Sequence, residues 1–221
     1  IIETGGSNLT LSDPLQLSAG SITSTGGTLS FEGEITLGGG GTLDVTDSVL
    51  SAGGTLDFSQ GTFITGGNSI LELNDATTLS TSSIASFEYI TFNEKTLTLG
   101  SESTHIKLCS SGTDYLPPPY QNTTFDTGLG DLTMSCLLRM SSDANWSSTG
   151  GTITLENGVY IPLNSTFTIS DTTLNLGGYS RAWMDSKLSL ANSNLITNDN
   201  SFESFEILSI LEVEGNQDLS L

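Results

Sequence analysis

The sequence predicts an all-β fold, a three-faced parallel β-solenoid of about 20 residues per coil, and three observations predict it. The first is a returning phrase, a glycine pair followed by Thr-Leu-x-Phe/Val. It reads Gly26-Gly27-Thr28-Leu29-Ser30-Phe31, Gly40-Gly41-Thr42-Leu43-Asp44-Val45 and Gly53-Gly54-Thr55-Leu56-Asp57-Phe58, blurs at Gly66-Gly67, and returns as Gly150-Gly151-Thr152-Ile153-Thr154-Leu155. The first four copies lie 13 or 14 residues apart. The second observation is a match at 20 residues: Ile2, Leu9, Leu11, Leu15 and Leu17 fall on Ile22, Leu29, Phe31, Ile35 and Leu37. Both spacings follow from one unit of roughly 6.6 residues, a strand of about four and a turn of two or three. Two units give 13 and three give 20. The third is composition: 35% of the 221 residues are hydrophobic and 14% charged. Thr, Ile, Val and Phe alternate with polar residues, as strands with one buried face require.

Residues 1–108 read as nearly unbroken strand–turn units. Ser69-Ile70-Leu71-Glu72-Leu73, Thr77-Thr78-Leu79-Ser80, Tyr89-Ile90-Thr91-Phe92, Thr96-Leu97-Thr98-Leu99 and His105-Ile106-Lys107-Leu108 each place apolar side chains on alternate positions. Gly-Gly, Asn-Asp, Glu-Gly and Asn-Glu punctuate them, residues suited to tight turns. The pattern breaks at Cys109. Residues 109–149 hold Leu116-Pro117-Pro118-Pro119-Tyr120, which cannot be interior strand because proline donates nothing to a ladder. They read as a long excursion, a decorated loop or small subdomain. The repeat resumes over 150–221, through Thr152-Ile153-Thr154-Leu155, Phe167-Thr168-Ile169 and Leu188-Ser189-Leu190, with a shorter bulge from Tyr179 to Asp185. The glycine-free run from Phe202 to Val213 reads as a last strand in preference to a capping helix. The expectation is one right-handed solenoid of about nine coils with an insertion.

Charge narrows the function. Twenty-five acidic residues against five Lys and Arg give −20, which disfavours nucleic acid and anionic membrane surfaces. No apolar window is long enough for a membrane-spanning helix. The chain opens at Ile1 without Met or a signal-like segment and reads as a processed mature protein or a cut fragment. An acidic chain rich in Ser, Thr, Asn and Gly suits an extracellular or cell-surface location.

Few residues suggest chemistry. Cys109 and Cys136 bracket the insertion and read as a disulfide, worth about 3–4 kcal/mol by loop closure. His105 is the lone histidine and reads as structural; an extended strand separates it from Cys109 by about 13 Å. Carboxylate pairs such as Glu32/Glu34, Asp44/Asp47, Glu72/Asp75, Glu203/Glu206 and Glu212/Glu214 could meet across coils, as a glycosidase needs, but among 25 acids such pairs arise by chance. Asp44, Asp47, Asp57, Asn74 and Asp75 are candidates for weakly bound calcium, and no dedicated cofactor is implied. Asn8, Asn122, Asn145 and Asn164 open Asn-x-Ser/Thr triplets.

These Gly-Gly-Thr-Leu phrases, Thr/Ser-rich strands and acidic balance resemble the parallel β-helix passenger regions of bacterial surface proteins of the autotransporter and adhesin types, over most of the chain. The resemblance implies an extracellular, non-catalytic rod. The function expected is that of a structural protein, a stiff rod that binds copies of itself head-to-tail and builds a surface fibre or filament. Ile1 and Ile2 at one end, with Phe205, Ile207, Ile210 and Val213 at the other, are the candidate assembly residues. The alternative is a monomeric adhesin or carbohydrate-binding fragment that recognises host glycans or other surface proteins. It would use Tyr120, Trp146 and Trp183 as a recognition patch. A polysaccharide-degrading enzyme is the remote third reading.

Overall fold

The computed structural model describes residues 1–66, 68–93, 95–100, 104–109, 123–128, 130–139, 144–148, 150–178, 181–182, 186–197, 210–214 and 219–220. Every ladder among them is parallel, and no described residue is helical. The chain is a β-solenoid. Ile2 pairs with Ile22 and Leu9 with Leu29, a step of 20; Thr152, Thr173 and Asn194 follow at steps of 21.

Each coil has three faces. The first face holds Ile2–Gly5 and continues, coil by coil, to Thr62–Ile64, Ile84–Phe87, His105–Leu108, Asp131–Met134, Thr152–Leu155, Thr173–Leu176, Asn194–Thr197 and Leu219–Ser220. The second holds Leu9–Leu11, Thr28–Phe31 and later Tyr89–Thr91, Leu138–Arg139, Val159–Ile161 and Arg181–Ala182. The third runs from residues 15–17 through Thr96–Leu99, Thr123–Asp126, Ala144–Ser147, Thr166–Ser170 and Lys187–Ala191 to Ile210–Glu214. In the early coils the strands Leu15–Ser24, Ile35–Asp44, Val49–Phe58 and Ile70–Thr81 turn a corner without leaving the ladder, so each serves two faces.

The glycine phrase marks corners, and its spacing explains itself. Thirteen residues are two thirds of a coil, so successive copies fall on successive different corners. Gly26 follows the first face, Gly40 the third and Gly53 the second. Glycine is needed there because neighbouring coils touch. A Cβ on Gly41 would run into the Leu17 carbonyl oxygen, and one on Gly151 into that of Gly130.

The core is a set of in-register apolar rows along the axis. Leu29, Leu50 and Leu71 stack directly and are wholly buried, as are Ile35, Leu56 and Leu79. Each such side chain contributes about 1.5–3 kcal/mol by burial. Corners are lined with small hydroxyls that satisfy the bending backbone. Ser48 Oγ accepts from Gly26 N (2.9 Å) and lies 3.1 Å from Ser24 Oγ. Ser148 Oγ accepts from Gly150 N (3.1 Å) and Gly151 N (2.6 Å) while donating to Gly128 O (2.9 Å).

The excursion expected over 109–149 is corrected. Thr123–Asp126 pairs with Thr96–Leu99 on one side and Ala144–Ser147 on the other, and Asp131–Met134 pairs with His105–Leu108 and Thr152–Leu155. Residues 123–147 therefore belong to the solenoid ladders. The step from His105 to Asp131 is 26 residues against 21 from Ile84 to His105, and that from Leu97 to Phe125 is 28 against 20 from Thr77 to Leu97, so this coil is five to eight residues longer than the one before it. The glycine phrase lapses here, but the inward alternation survives through Phe125, Leu132, Met134 and Trp146, all buried. The Pro-rich run at 116–120 lies outside the described residues.

Candidate functional site: the open N-terminal coil

The first coil differs from those beneath it. Ile2, Leu9, Leu11, Leu15 and Leu17 occupy inward positions, in register with Ile22, Leu29, Phe31, Ile35 and Leu37. The lower five are 0–1% exposed, whereas Ile2 is 47% exposed and the other four are only half-buried against the core. Among the described residues the strands of this coil have ladder partners on one side alone. Among the described residues an apolar row and a ladder edge thus lie side by side on this coil, the combination that strand addition uses. The 20-residue sequence match had aligned these same five pairs. Ile1 is 91% exposed beside them.

At the other end Ile210–Glu214 pairs with Lys187–Ala191, and Leu219–Ser220 with Leu195 and Ile196. Leu211 and Val213 take the register of buried Leu188 and Leu190. Ile210 falls on half-buried Lys187, an outward position. Ile210 thus takes the register of Lys187, and Leu211, not singled out from the sequence, that of Leu188. The alternation Leu211, Glu212, Val213 carried that signal. Phe205 and Ile207 lie outside the described residues.

Of the expected recognition patch, Trp146 alone lies among the described residues. Trp146 is 3% exposed, with its ring centroid 5.7 Å from that of Phe125 and 5.1 Å from that of Phe167. It is a core residue, because its place in the strand alternation points inward. Tyr120 and Trp183 lie outside the described residues. Cys109 and Cys136 are joined as a disulfide with Cα atoms 5.7 Å apart. They follow the paired strands His105–Leu108 and Asp131–Met134, so the bond ties neighbouring coils at one corner. His105 faces outward, its Nε2 3.0 Å from Thr133 Oγ1.

The calcium candidates are engaged in turns. Asp44 Oδ1 accepts from Thr46 N (3.0 Å) and Thr46 Oγ1 (2.7 Å), and Asp57 Oδ1 from Ser59 N (3.0 Å) and Ser59 Oγ (2.6 Å). Asp47 Oδ1 accepts from Asn68 N (2.9 Å), and Asp75 Oδ1 from Ala76 N (2.8 Å). Among the described residues no three His, Cys, Asp or Glu side chains form a group that could hold a metal ion. Glu32, Glu34, Asn74 and Asp75 do line one shallow depression of about 350 Å³. Of the four Asn-x-Ser/Thr triplets, Asn8, Asn145 and Asn164 are exposed and Asn122 lies outside the described residues. Comparison with protein-family models, with curated proteins and with solved structures finds no match to this chain.

Proposed function

We propose that this chain is a structural protein of the cell exterior, a stiff solenoid rod that stacks end to end with copies of itself into a fibre. The observation that carries the reading is the half-covered Leu9, Leu11, Leu15 and Leu17 row, next to exposed Ile2 and a ladder edge that has no partner among the described residues. What fits such an edge is a parallel strand set with apolar residues at alternate positions, and the chain's own last coil has that pattern at Leu211 and Val213. Unlike ends that mate without closing build a filament. The disulfide supports an oxidising compartment outside the cytoplasm. With Trp146 in the core, the aromatic recognition patch loses its middle member, and the adhesin reading loses its main support.

The test is sedimentation velocity across a concentration series, comparing the chain with Leu17→Glu. Stacking predicts species growing with concentration, and their loss in the variant. A monomer at every concentration refutes the reading.

A further inference from the structure

We infer that the rod carries a hinge part-way along its length, on the first face between Thr62–Ile64 and Ile84–Phe87. The inference concerns a single copy and stands apart from the stacking reading. It follows from a ladder that parts on one face while the other two stay closed.

Along the first face, successive described strands pair from Ile2–Gly5 to Thr62–Ile64 and again from Ile84–Phe87 onward. No ladder pair joins Thr62–Ile64 to Ile84–Phe87, although both strands are described throughout. At the same level the other faces are continuous. Ile70, Leu71 and Glu72 pair with Tyr89, Ile90 and Thr91 on the second face. Thr77, Thr78 and Leu79 pair with Leu97, Thr98 and Leu99 on the third. The hydrogen bond that spans the break goes to a side chain instead of a carbonyl: Ser86 N donates to Thr65 Oγ1 (2.7 Å).

The residues at this corner explain the parting. Phe58 and Phe63 are both buried on either side of it, with ring centroids 4.2 Å apart. Phe63 stands in register with Leu43 in the coil above, and Phe58 with Thr81 in the coil below. Two rings thus share a corner that the adjoining coils line with smaller side chains. A close-packed core has no spare volume for the second ring, so the strand that carries it shifts out of line. The outward residues on the two lips of the break, Ile64 and Ile84, are 39% and 58% exposed. With no ladder to undo, parting these strands disturbs little beyond side-chain contacts and the Ser86 bond, whereas parting either other face breaks a ladder. The first face therefore opens while the other two hold, and the rod curves with that face outermost.

Two measurements on the full chain test this. Spin labels at Thr42→Cys and Lys107→Cys span three coil steps across the break, and labels at Thr36→Cys and Thr98→Cys span three on the third face. Double electron–electron resonance should give a distance distribution at least about twofold wider for the first-face pair. Phe63→Leu, which repeats Leu43 of the coil above, should narrow it towards the third-face width. Amide protection against hydrogen exchange should be at least about tenfold lower at Ser86 than at Lys107, its ladder neighbour one coil on. Thr65→Val, which removes the acceptor, should lower it further. Equal widths for the two label pairs, or equal protection at Ser86 and Lys107, would show a closed face and overturn the hinge. If Phe63→Leu does not fold, the widths in the parent chain decide.

Discussion

Phe125 and Trp146 sit one coil apart in the same ladder, and their rings pack with centroids 5.7 Å apart, with Phe167 against Trp146 in the next coil and Phe92 against Phe125. An aromatic column therefore fills the core where the glycine phrase is silent. It keeps the coils in register across the lengthened one that precedes it.

Trp146→Ala should destabilise the protein by about 3–5 kcal/mol, the cost of emptying a large core site. Chemical denaturation measures it. A change below about 1 kcal/mol would mean that the ring is not packed in the core.

The hydroxyl at the Gly150 corner should matter nearly as much for its size. Ser148→Ala removes the side-chain acceptor of Gly150 N and the shorter of two acceptors of Gly151 N, which keeps Gly128 O at 3.3 Å, at a cost of about 1–2 kcal/mol. Ser148→Thr keeps the acceptor and should recover part of the loss. Equal denaturation midpoints for all three proteins would contradict the assigned role.

Gly151→Ala should be destabilising by about 1–3 kcal/mol because its methyl group meets the Gly130 carbonyl in the coil above. Gly39 offers the control, since a Cβ there meets nothing closer than 3.7 Å. Thermal melts of Gly39→Ala and Gly151→Ala should separate by several degrees.

Much of this was legible in the chain itself. The pairs Ile2/Ile22 and Leu17/Leu37 could be aligned by counting, because a stacked coil forces identical positions onto one axis. Residues 123–147 were misread because the turn phrase had been used as the marker of a coil. The coil is defined by inward alternation, and corners can be closed by Ser148 or by a disulfide as well as by Gly-Gly. Trp146 was misread for a related reason: an aromatic in an irregular stretch looks exposed until its strand partners are known.

Reducing the Cys109–Cys136 bond should lower stability by about 3–4 kcal/mol, given the 27-residue separation it closes. Unfolding with and without reductant measures this. Because the bond ties two neighbouring coils, protection of the amides of residues 105–108 and 131–134 against hydrogen exchange should fall first. A uniform loss along the chain would contradict that local role.

With a net charge of −20, copies of the chain repel one another at low salt. Raising the salt from about 0.01 M to 0.1 M shortens the screening length from about 30 Å to about 10 Å and should promote association. Assembly that weakens as salt rises would point to a joint held by charge, against the apolar one described.

The most direct measurement is negative-stain electron microscopy of the intact chain across a dilution series. Stacked copies predict filaments one molecule wide, with an axial repeat of roughly 50 Å at ~4.8 Å per coil, shortening to single rods on dilution. Single short rods at every concentration would contradict it.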